Sequence, residues 1–212
     1  MYKIVIFGPP GSGKGTQAEF ISAALNIPTI STGHIFRNEM KNQTELGKKI
    51  TAIMDSGGLV PDEITNQTVK NRLQQDDVKK GYILDGYPRT LAQVEYLDQL
   101  DELTRVINID CSDSVVMDRM AARRTCSKCG ANFNILFKPT KVDGICDLCQ
   151  GELVTRTDGE PDAIKERIYI YHQQDDPILD FYKNKGILIN INGEPSIEEV
   201  WQQIREKLNL NN

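Results

Sequence analysis

Short, largely apolar runs alternate with segments of helical periodicity along most of the chain. The runs are Ile4 to Phe7, Ile27 to Ile30, Tyr82 to Leu84, Val106 to Ile109 and Ile187 to Ile191. Runs of this length are typical of strands covered on both faces, and the helical segments between them allow successive strands to run parallel. The pattern therefore predicts an α/β fold, with a parallel five-stranded sheet and flanking helices.

Apolar residues at helical spacing mark the segments between the predicted strands. The stripes are Ala18, Ile21 and Leu25; Leu46, Ile50, Ile53 and Met54; Leu91, Val94 and Leu97; Val115, Val116 and Met120; and Ile197, Val200, Trp201, Ile204 and Leu208. Gly57 and Gly58 predict the end of the second helix, because glycine adopts the left-handed conformation that closes many helices. Pro61 predicts the start of the next helix. We expect the last stripe to pack in the core rather than against a partner.

One segment, from about Thr125 to Gly159, breaks this alternation. It is rich in cysteine, glycine, lysine and aspartate, and its β-like runs are short, such as Phe133 to Phe137. Such a composition between periodic segments predicts a small inserted subdomain.

The charge balance narrows the choice of partners. The net charge is -5 and the isoelectric point is about 5.2. This argues against a general binder of nucleic acids or anionic membranes, because such proteins need a positive field. No apolar run approaches the length of a bilayer span, and the first predicted strand follows the N-terminus without a signal-like segment. We therefore expect a cytoplasmic protein with no nucleic-acid or membrane partner.

A glycine-rich segment, GPPGSGKGT from Gly8 to Thr16, lies between the first predicted strand and the first predicted helix. In this context the loop N–H groups and the helix N-terminus bind phosphate, and the lysine reaches the β- and γ-phosphates of a nucleoside triphosphate. Gly15 stands where the usual pattern has a hydroxyl ligand for Mg²⁺, and Thr16 follows one residue later. A purely structural glycine turn fits these flanking elements less well. The motif predicts a triphosphate bound with Mg²⁺.

Four of the five cysteines form two closely spaced pairs, Cys126 with Cys129 and Cys146 with Cys149. This spacing is typical of a zinc ribbon, and in a reducing compartment it favours metal ligands over disulfides. Four thiolates complete a tetrahedral site, so the predicted Zn²⁺ is structural rather than catalytic. A nucleic-acid-binding ribbon is the main alternative, although the insertion lacks a run of Lys or Arg. For Cys111 we expect a buried free thiol.

Residues that follow two predicted strands indicate what happens to the triphosphate. Asp85 ends one strand, at the position where P-loop enzymes hold Mg²⁺ or its waters. The segment from Ser31 to Arg37 follows the second strand at the same sheet edge, where doubly wound folds bind ligands. Further arginines stand at positions 37, 89, 119, 123, 156 and 167. Guanidinium groups bind phosphate well, and six arginines are more than one triphosphate needs. The number of arginines therefore predicts two phosphate-bearing substrates.

Together these motifs resemble those of the adenylate kinases with a long, zinc-bearing lid. The resemblance rests on Gly8 to Gln17, Thr32-Gly33 with Arg37, Asp85 to Arg89, Arg123-Arg124, Arg156 and Arg167. It implies a monomeric phosphotransferase that catalyses ATP + AMP ⇌ 2 ADP by direct in-line transfer. It also implies a P-loop core (residues 1–30, 61–121 and 160–212), a helical monophosphate-binding subdomain (31–60) and a lid (122–159).

The resemblance further implies residues for each role. Those for ATP are Gly11, Ser12, Gly13, Lys14, Gly15, Thr16, Arg119, Arg123, Asn132, Phe133 and Pro195. Those for AMP are Thr32, Arg37, Gly58, Leu59, Val60, Gly86, Tyr87, Pro88, Arg89, Gln93, Arg156 and Arg167. The catalytic set is Lys14, Asp85, Arg89, Arg123, Arg156 and Arg167.

Two residues depart from the family pattern, and three other activities remain as alternatives. His34 stands where an acidic residue is usual, and Gly159 stands where many members have a second aspartate after Asp158. A pyrimidine monophosphate kinase is similar overall, but Thr32 is typical of adenine-selective members, whereas pyrimidine-selective ones commonly carry Ala. A thymidine kinase combines a P-loop with zinc but does not need the segment from Asp85 to Arg89. The third alternative is an NTPase fused to a nucleic-acid-binding zinc ribbon.

Overall fold

The structure, a computed structural model, describes residues 1–155 and 159–210, apart from the side chain of Asp175. Within these ranges the main sheet has five parallel strands in the order β2-β3-β1-β4-β8. Its strands are β1 (Tyr2–Phe7), β2 (Thr29–Ser31), β3 (Gly81–Asp85), β4 (Arg105–Asp110) and β8 (Leu188–Asn192). The predicted α/β fold with a parallel five-stranded sheet is therefore confirmed.

Helices connect the strands and cover the sheet. They are α1 (Lys14–Leu25), α2 (Thr32–Lys41), α3 (Glu45–Asp55), α4 (Asp62–Leu73), α5 (Leu91–Leu100), α6 (Asp113–Ala121), α7 (Pro161–Asn184) and α8 (Ile197–Leu208). A 3₁₀ turn (Asp76–Lys80) precedes β3. None of the helices in the described part of the chain combines the length and the apolar character that a membrane span requires.

The core lies on both faces of the sheet, as the continuous apolar strands require. One face buries residues of α5 and α7, including Val94, Leu97 and Ile178. The other buries the α1 and α8 stripes, including Ile21 and Ile204. The stripe on the last helix therefore packs in the core, as predicted. Leu91 is the exception among the stripe residues of α5, since it is exposed.

The α2 and α3 helices form a separate hairpin between β2 and α4. Gly47 allows their close contact, because a Cβ there would lie 2.1 Å from the carbonyl oxygen of Glu39. Phe36 and Ile50 bury a small apolar cluster between the helices. Gly57 follows the end of α3 with a φ of +85°, which confirms the predicted left-handed helix end.

The cysteine-rich insertion contains a three-stranded antiparallel sheet in the order β6-β5-β7. Its strands are β5 (Arg123–Cys126), β6 (Asn132–Asn134) and β7 (Leu153–Val154). The prediction of a strand from Phe133 to Phe137 is wrong beyond Asn134. The Asn134 side-chain oxygen accepts hydrogen bonds from the N–H groups of Leu136 and Phe137, and this local turn ends the strand.

Candidate active site

An open cleft of about 770 Å³ lies at the carboxyl edge of the main sheet. The parallel pairing brings three strand ends together there, because Asp85 is opposite both Ile6 and Ser31 in the ladder. The segments that follow β1, β2 and β3 therefore converge on one site, as is general for open α/β sheets. The cleft is within the usual range for sites that bind small molecules.

The glycine-rich loop forms the floor of this cleft. Gly11 and Gly13 have φ values of +82° and +92°, a region that other residues rarely adopt. Gly8 is needed for a different reason: a Cβ there would lie 2.3 Å from the carbonyl oxygen of Ile109. The loop leads directly into α1, so the positive end of that helix faces the cleft. This geometry suits a bound phosphate.

Lys14, the first residue of α1, points back across the loop. Its Nζ donates a hydrogen bond to the Pro9 carbonyl oxygen at 3.0 Å. Loss of solvent around the ammonium group lowers the pKa of Lys14 to about 7, opposed by Asp85 and reinforced by the charges of Arg89, Arg167 and Arg123. A site that holds these cations so close together is suited to a polyanion.

Arginines from several elements line the same cleft as Lys14. They are Arg37, Arg89, Arg119, Arg123 and Arg167. Arg123 donates a hydrogen bond at 2.9 Å to the side-chain oxygen of Asn132, and this contact holds the guanidinium against the neighbouring strand of the insertion. Arg156, the remaining arginine of the predicted set, lies outside the described residues.

Arg119 is held rigidly at the outer end of the cleft. Its guanidinium donates hydrogen bonds to the carbonyl oxygens of Gly193 at 2.8 Å and Glu194 at 3.0 Å. It also lies 5.5 Å from the ring centroid of Phe137. Phe137 is a candidate that the sequence prediction missed. The pair lines the cleft together with Pro195.

The segment after β3 is fixed by hydrogen bonds behind the cleft. The Gly86 carbonyl oxygen accepts from Thr32 Oγ1 at 2.9 Å and from Arg89 Nε at 2.8 Å. The backbone N–H of Arg89 donates to Gln93 Oε1 at 2.7 Å. Thr32, Tyr87 and Gln93 are all buried. The side chains of these three residues bond within the protein. The residues predicted for AMP that line the cleft are Arg37, Gly86, Arg89 and Arg167.

A smaller cavity adjoins the main cleft near Lys14. Gly57, Leu59, Pro88 and Arg167 line it. Gly57 packs against α7, since a Cβ there would lie 2.8 Å from the Ala163 carbonyl oxygen. This contact places the end of the α2–α3 hairpin beside Arg167. Val60, by contrast, is buried in the apolar cluster of the hairpin.

The α2 helix and the cysteine-rich insertion touch across the cleft. His34 approaches Gly130 so closely that a Cβ on the glycine would lie 3.1 Å from the His34 ring. Lys41 Nζ donates hydrogen bonds to the carbonyl oxygens of Ser127 and Lys128 at 3.0 and 3.1 Å. Partial burial lowers the pKa of His34 from its ordinary value, and the charge of Arg37 adds to this. The residue that departs from the family pattern therefore lies at a contact between two parts of the chain.

The cysteines at 126, 129, 146 and 149 form the cluster that could hold a metal ion among the described residues, with their sulfurs within 4.8 Å of one another. Cys126 and Cys149 are 3.4 Å apart, and Cys129 and Cys146 are 3.7 Å apart. A tetrahedral zinc with Zn–S bonds of about 2.3 Å has sulfurs about 3.8 Å apart, so these four thiols fit Zn²⁺. Cys111 is a separate buried thiol, as expected, and burial raises its pKa.

Two similar turns present these thiols. In each, the N–H of the residue after the second cysteine donates to the first cysteine's carbonyl oxygen: Gly130 to Cys126 at 3.0 Å, and Gln150 to Cys146 at 2.9 Å. The Cys129 N–H also points at the Cys126 sulfur, and this contact lowers the pKa of Cys126 to about 6. A Cβ on Gly151 would lie 2.9 Å from that sulfur, so the cluster needs glycine there.

Comparisons with known proteins agree with this site. Residues 6–187 match the adenylate kinase family model. The chain is 46% identical to the adenylate kinase of Caldicellulosiruptor saccharolyticus, over 98% of this chain and 99% of that protein. It is also 46% identical to the adenylate kinases of Clostridium acetobutylicum (97% and 98% covered) and Methanocella arvoryzae (96% of each). Because the family model spans most of the sequence and these relatives align almost from end to end, the chain belongs to the adenylate kinase family.

Proposed function

We propose that the chain catalyses reversible phosphoryl transfer, ATP + AMP ⇌ 2 ADP, by direct in-line attack. The observation that carries this proposal is the single cleft in which Lys14 and five arginines converge beside a phosphate-binding loop. One triphosphate does not need so many cations, whereas two nucleotides with facing phosphates do. Membership of the adenylate kinase family supports the same reaction.

ATP would bind along the glycine-rich loop. Residues 11–16 would surround its phosphates through backbone N–H groups, and Lys14 and Arg123 would contact the transferring group. Its adenine would pack on Arg119 and Phe137, with the backbone near Pro195 at the edge of the base. Asn132 and Phe133 from the insertion line the same part of the cleft.

AMP would bind between the α2–α3 hairpin and the segment after β3. Arg37, Arg89 and Arg167 would hold its phosphate, and Arg156 is proposed for the same role from the family resemblance. Residues 58–60 and the segment 86–88 would surround the nucleoside, with Thr32 and Gln93 behind the segment that follows β3. In this arrangement the AMP phosphate would face the side of the cleft that holds Lys14.

The chemistry needs little from the protein except charge and exclusion of water. The attacking group is an AMP phosphate oxygen, which is largely dianionic at neutral pH because the second pKa of a phosphate monoester is about 6. No general base is therefore required. Lys14 and the arginines stabilise the charge of the transferring group, and closure of residues 122–159 over the cleft keeps water from accepting it.

We propose two metal ions with different roles. Asp85 is a carboxylate at the cleft edge and suits Mg²⁺, which would reduce the charge on the ATP phosphates when bound. Cys126, Cys129, Cys146 and Cys149 suit a Zn²⁺ that organises the insertion and leaves no ligand position for substrate. Cysteine pairs that serve as metal ligands rather than as disulfides would suit a cytoplasmic enzyme.

We further propose that the chain divides into three functional parts. Residues 1–30, 61–121 and 160–212 form the P-loop core, residues 31–60 bind the monophosphate, and residues 122–159 form the lid. Each part has its own cluster of apolar residues, which supports this division. We propose a monomer, because one chain supplies every group that the reaction uses, and size-exclusion chromatography with light scattering would test this.

The choice of acceptor tests the proposed function. With MgATP as donor, AMP should be phosphorylated at least about tenfold faster than UMP or CMP, which corresponds to a difference of about 1.4 kcal/mol in the barrier. The reason is that Thr32 fixes the segment beside the proposed base site, as in adenine-selective members. A coupled assay of ADP formation with AMP, UMP, CMP and GMP would measure this. Comparable rates with UMP would favour a pyrimidine kinase instead.

Binding of ATP should be linked to uptake of a proton. At about pH 8 the empty site holds Lys14 largely neutral, since its pKa is about 7. Phosphate charge favours the ammonium form, so we expect uptake of up to about one proton per nucleotide bound. Calorimetry in buffers with different ionisation enthalpies would measure it. The control is Lys14→Arg, whose guanidinium stays protonated and should bind without the uptake; unchanged uptake in that variant would contradict this assignment.

A further inference from the structure

Asp62, at the start of α4, accepts two side-chain hydrogen bonds from the neighbouring helix α5. One comes from Thr90 Oγ1 at 2.8 Å and the other from Gln93 Nε2 at 2.7 Å. Thr90 is the N-cap of α5, and its hydroxyl also accepts from the backbone N–H of Gln93. Asp62 therefore joins the first turns of two helices through one carboxylate.

The same contacts fix the orientation of the Gln93 amide. A carboxylate only accepts hydrogen bonds and a backbone N–H only donates them, so the amide nitrogen must face Asp62 and the amide oxygen must face the Arg89 N–H. Both partners require the same orientation. Gln93 is 2% exposed, so little water can replace either partner. Such buried contacts hold a backbone position well, because leaving one unmade is costly.

We propose that Asp62 is a positioning residue for the AMP side of the site. It orients Gln93, Gln93 holds the backbone of Arg89, and Arg89 contributes its guanidinium to the cleft. Asp62 itself does not line the cleft described above, so it acts through this chain of hydrogen bonds and not by touching substrate. The proposal rests on the proposed function, since Arg89 matters here as a ligand of the AMP phosphate.

The position of Asp62 predicts that its loss weakens AMP binding more than ATP binding. The chain of hydrogen bonds ends at Arg89, whereas the glycine-rich loop is fixed by other contacts, such as those around Gly8 and Ser12. Displacement of Arg89 should therefore weaken AMP binding and leave ATP binding nearly unchanged. A residue that only stabilises the fold would affect the two substrates alike.

The experiment compares Asp62→Ala and Asp62→Asn with the wild type, and uses Glu63→Ala as the matched control. Glu63 is the next acidic residue in the same helical turn, and it is exposed. For Asp62→Ala we expect the KM for AMP to rise about tenfold, as the loss of a well-placed phosphate ligand would cause, while the KM for MgATP stays within about twofold. Asp62→Asn keeps an oxygen that can accept from Gln93 but loses the oxygen that accepts from Thr90, so its KM for AMP should rise only about threefold. Glu63→Ala should behave as the wild type.

The outcomes separate this proposal from the proposed function. If the wild type does not phosphorylate AMP, the proposed function fails. If it does, but Asp62→Ala leaves the KM for AMP unchanged or raises both KM values equally, the positioning role is wrong. Thermal melting curves show whether each variant is folded at the temperature of the kinetic assay. Should Asp62→Ala not fold, Asp62→Asn alone decides: a rise of about threefold in the KM for AMP supports the role, and no rise overturns it.

Discussion

Replacement of Lys14 with methionine is expected to lower kcat at least about a hundredfold, since cations that contact a transferring phosphoryl group contribute roughly 10³ to 10⁵ in rate. Methionine keeps much of the length and apolar character of the lysine side chain but removes the charge and the hydrogen bond to the Pro9 carbonyl oxygen. The ammonium group lies between the Pro9 carbonyl oxygen and the charges of Asp85 and Arg89.

The fold should tolerate this change. The pKa of Lys14 is lowered in the folded chain to about 7, so the protonated lysine is disfavoured there relative to the unfolded chain. Its removal should therefore leave the melting temperature unchanged or raise it. Steady-state kinetics with circular dichroism and thermal melting would measure both effects, with exposed Lys80→Met as the control. A folded Lys14→Met enzyme with nearly normal kcat would mean that the loop does not carry the chemistry.

Most of the fold could be predicted from the sequence, because its strands are buried on both faces. Val106, Ile107 and Ile109 are apolar for that reason, and all four positions from Val106 to Ile109 are buried. Short strands that depend on partners are harder to predict. The strand β6 ends at Asn134 because a side-chain turn replaces the ladder, although the apolar residues that follow suggest a longer strand. Side-chain turns of this kind are local and leave little trace in hydrophobic periodicity.

The sequence likewise predicts some features of the candidate site but not others. Residues that act through the backbone, such as the glycines at 8, 11 and 13, could be predicted because their geometry excludes other residues. Phe137 could not, since its contact with Arg119 joins residues of two different elements. The lowered pKa of Lys14 likewise depends first on burial of its ammonium group and then on three arginines from distant parts of the chain. Properties that arise from such long-range contacts need the folded structure.

The hydrogen-bond partners of Gln93 also could not be predicted from the sequence. The sequence indicates a polar residue near the proposed AMP site, but not that both ends of its amide bond to the protein. Asp62 is thirty-one positions away in the chain, and its contact follows from the way α4 packs on α5. The family resemblance identifies Gln93, whereas its hydrogen bonds to Arg89 and Asp62 are known only from the structure.

A second large effect is expected when one ligand of the cysteine cluster is removed. Changing Cys149 to serine should lower the affinity for zinc at least about a hundredfold, because even groups that only support metal ligands commonly contribute ten- to a hundredfold. Since binding of a structural metal is part of the folding free energy, the melting of residues 122–159 should shift to a lower temperature. Metal analysis, thermal melting and kinetics on one preparation would measure this. Leu148→Ser, at an exposed neighbour in the same turn, is the control and should retain the metal.

Activity separates a structural zinc from a catalytic one. Cys149 does not line the cleft, although Cys129 of the same cluster does, whereas Lys14 and the five arginines line it directly. Measured well below its melting temperature, Cys149→Ser should therefore lose much less activity than Lys14→Met. The remaining loss would come through the insertion, because the carbonyl oxygens that accept from Lys41 belong to the turn between Cys126 and Cys129. If the variant melted like the wild type but lost phosphoryl transfer completely, the metal would have to take part in the chemistry, and the structural role proposed for it would be wrong.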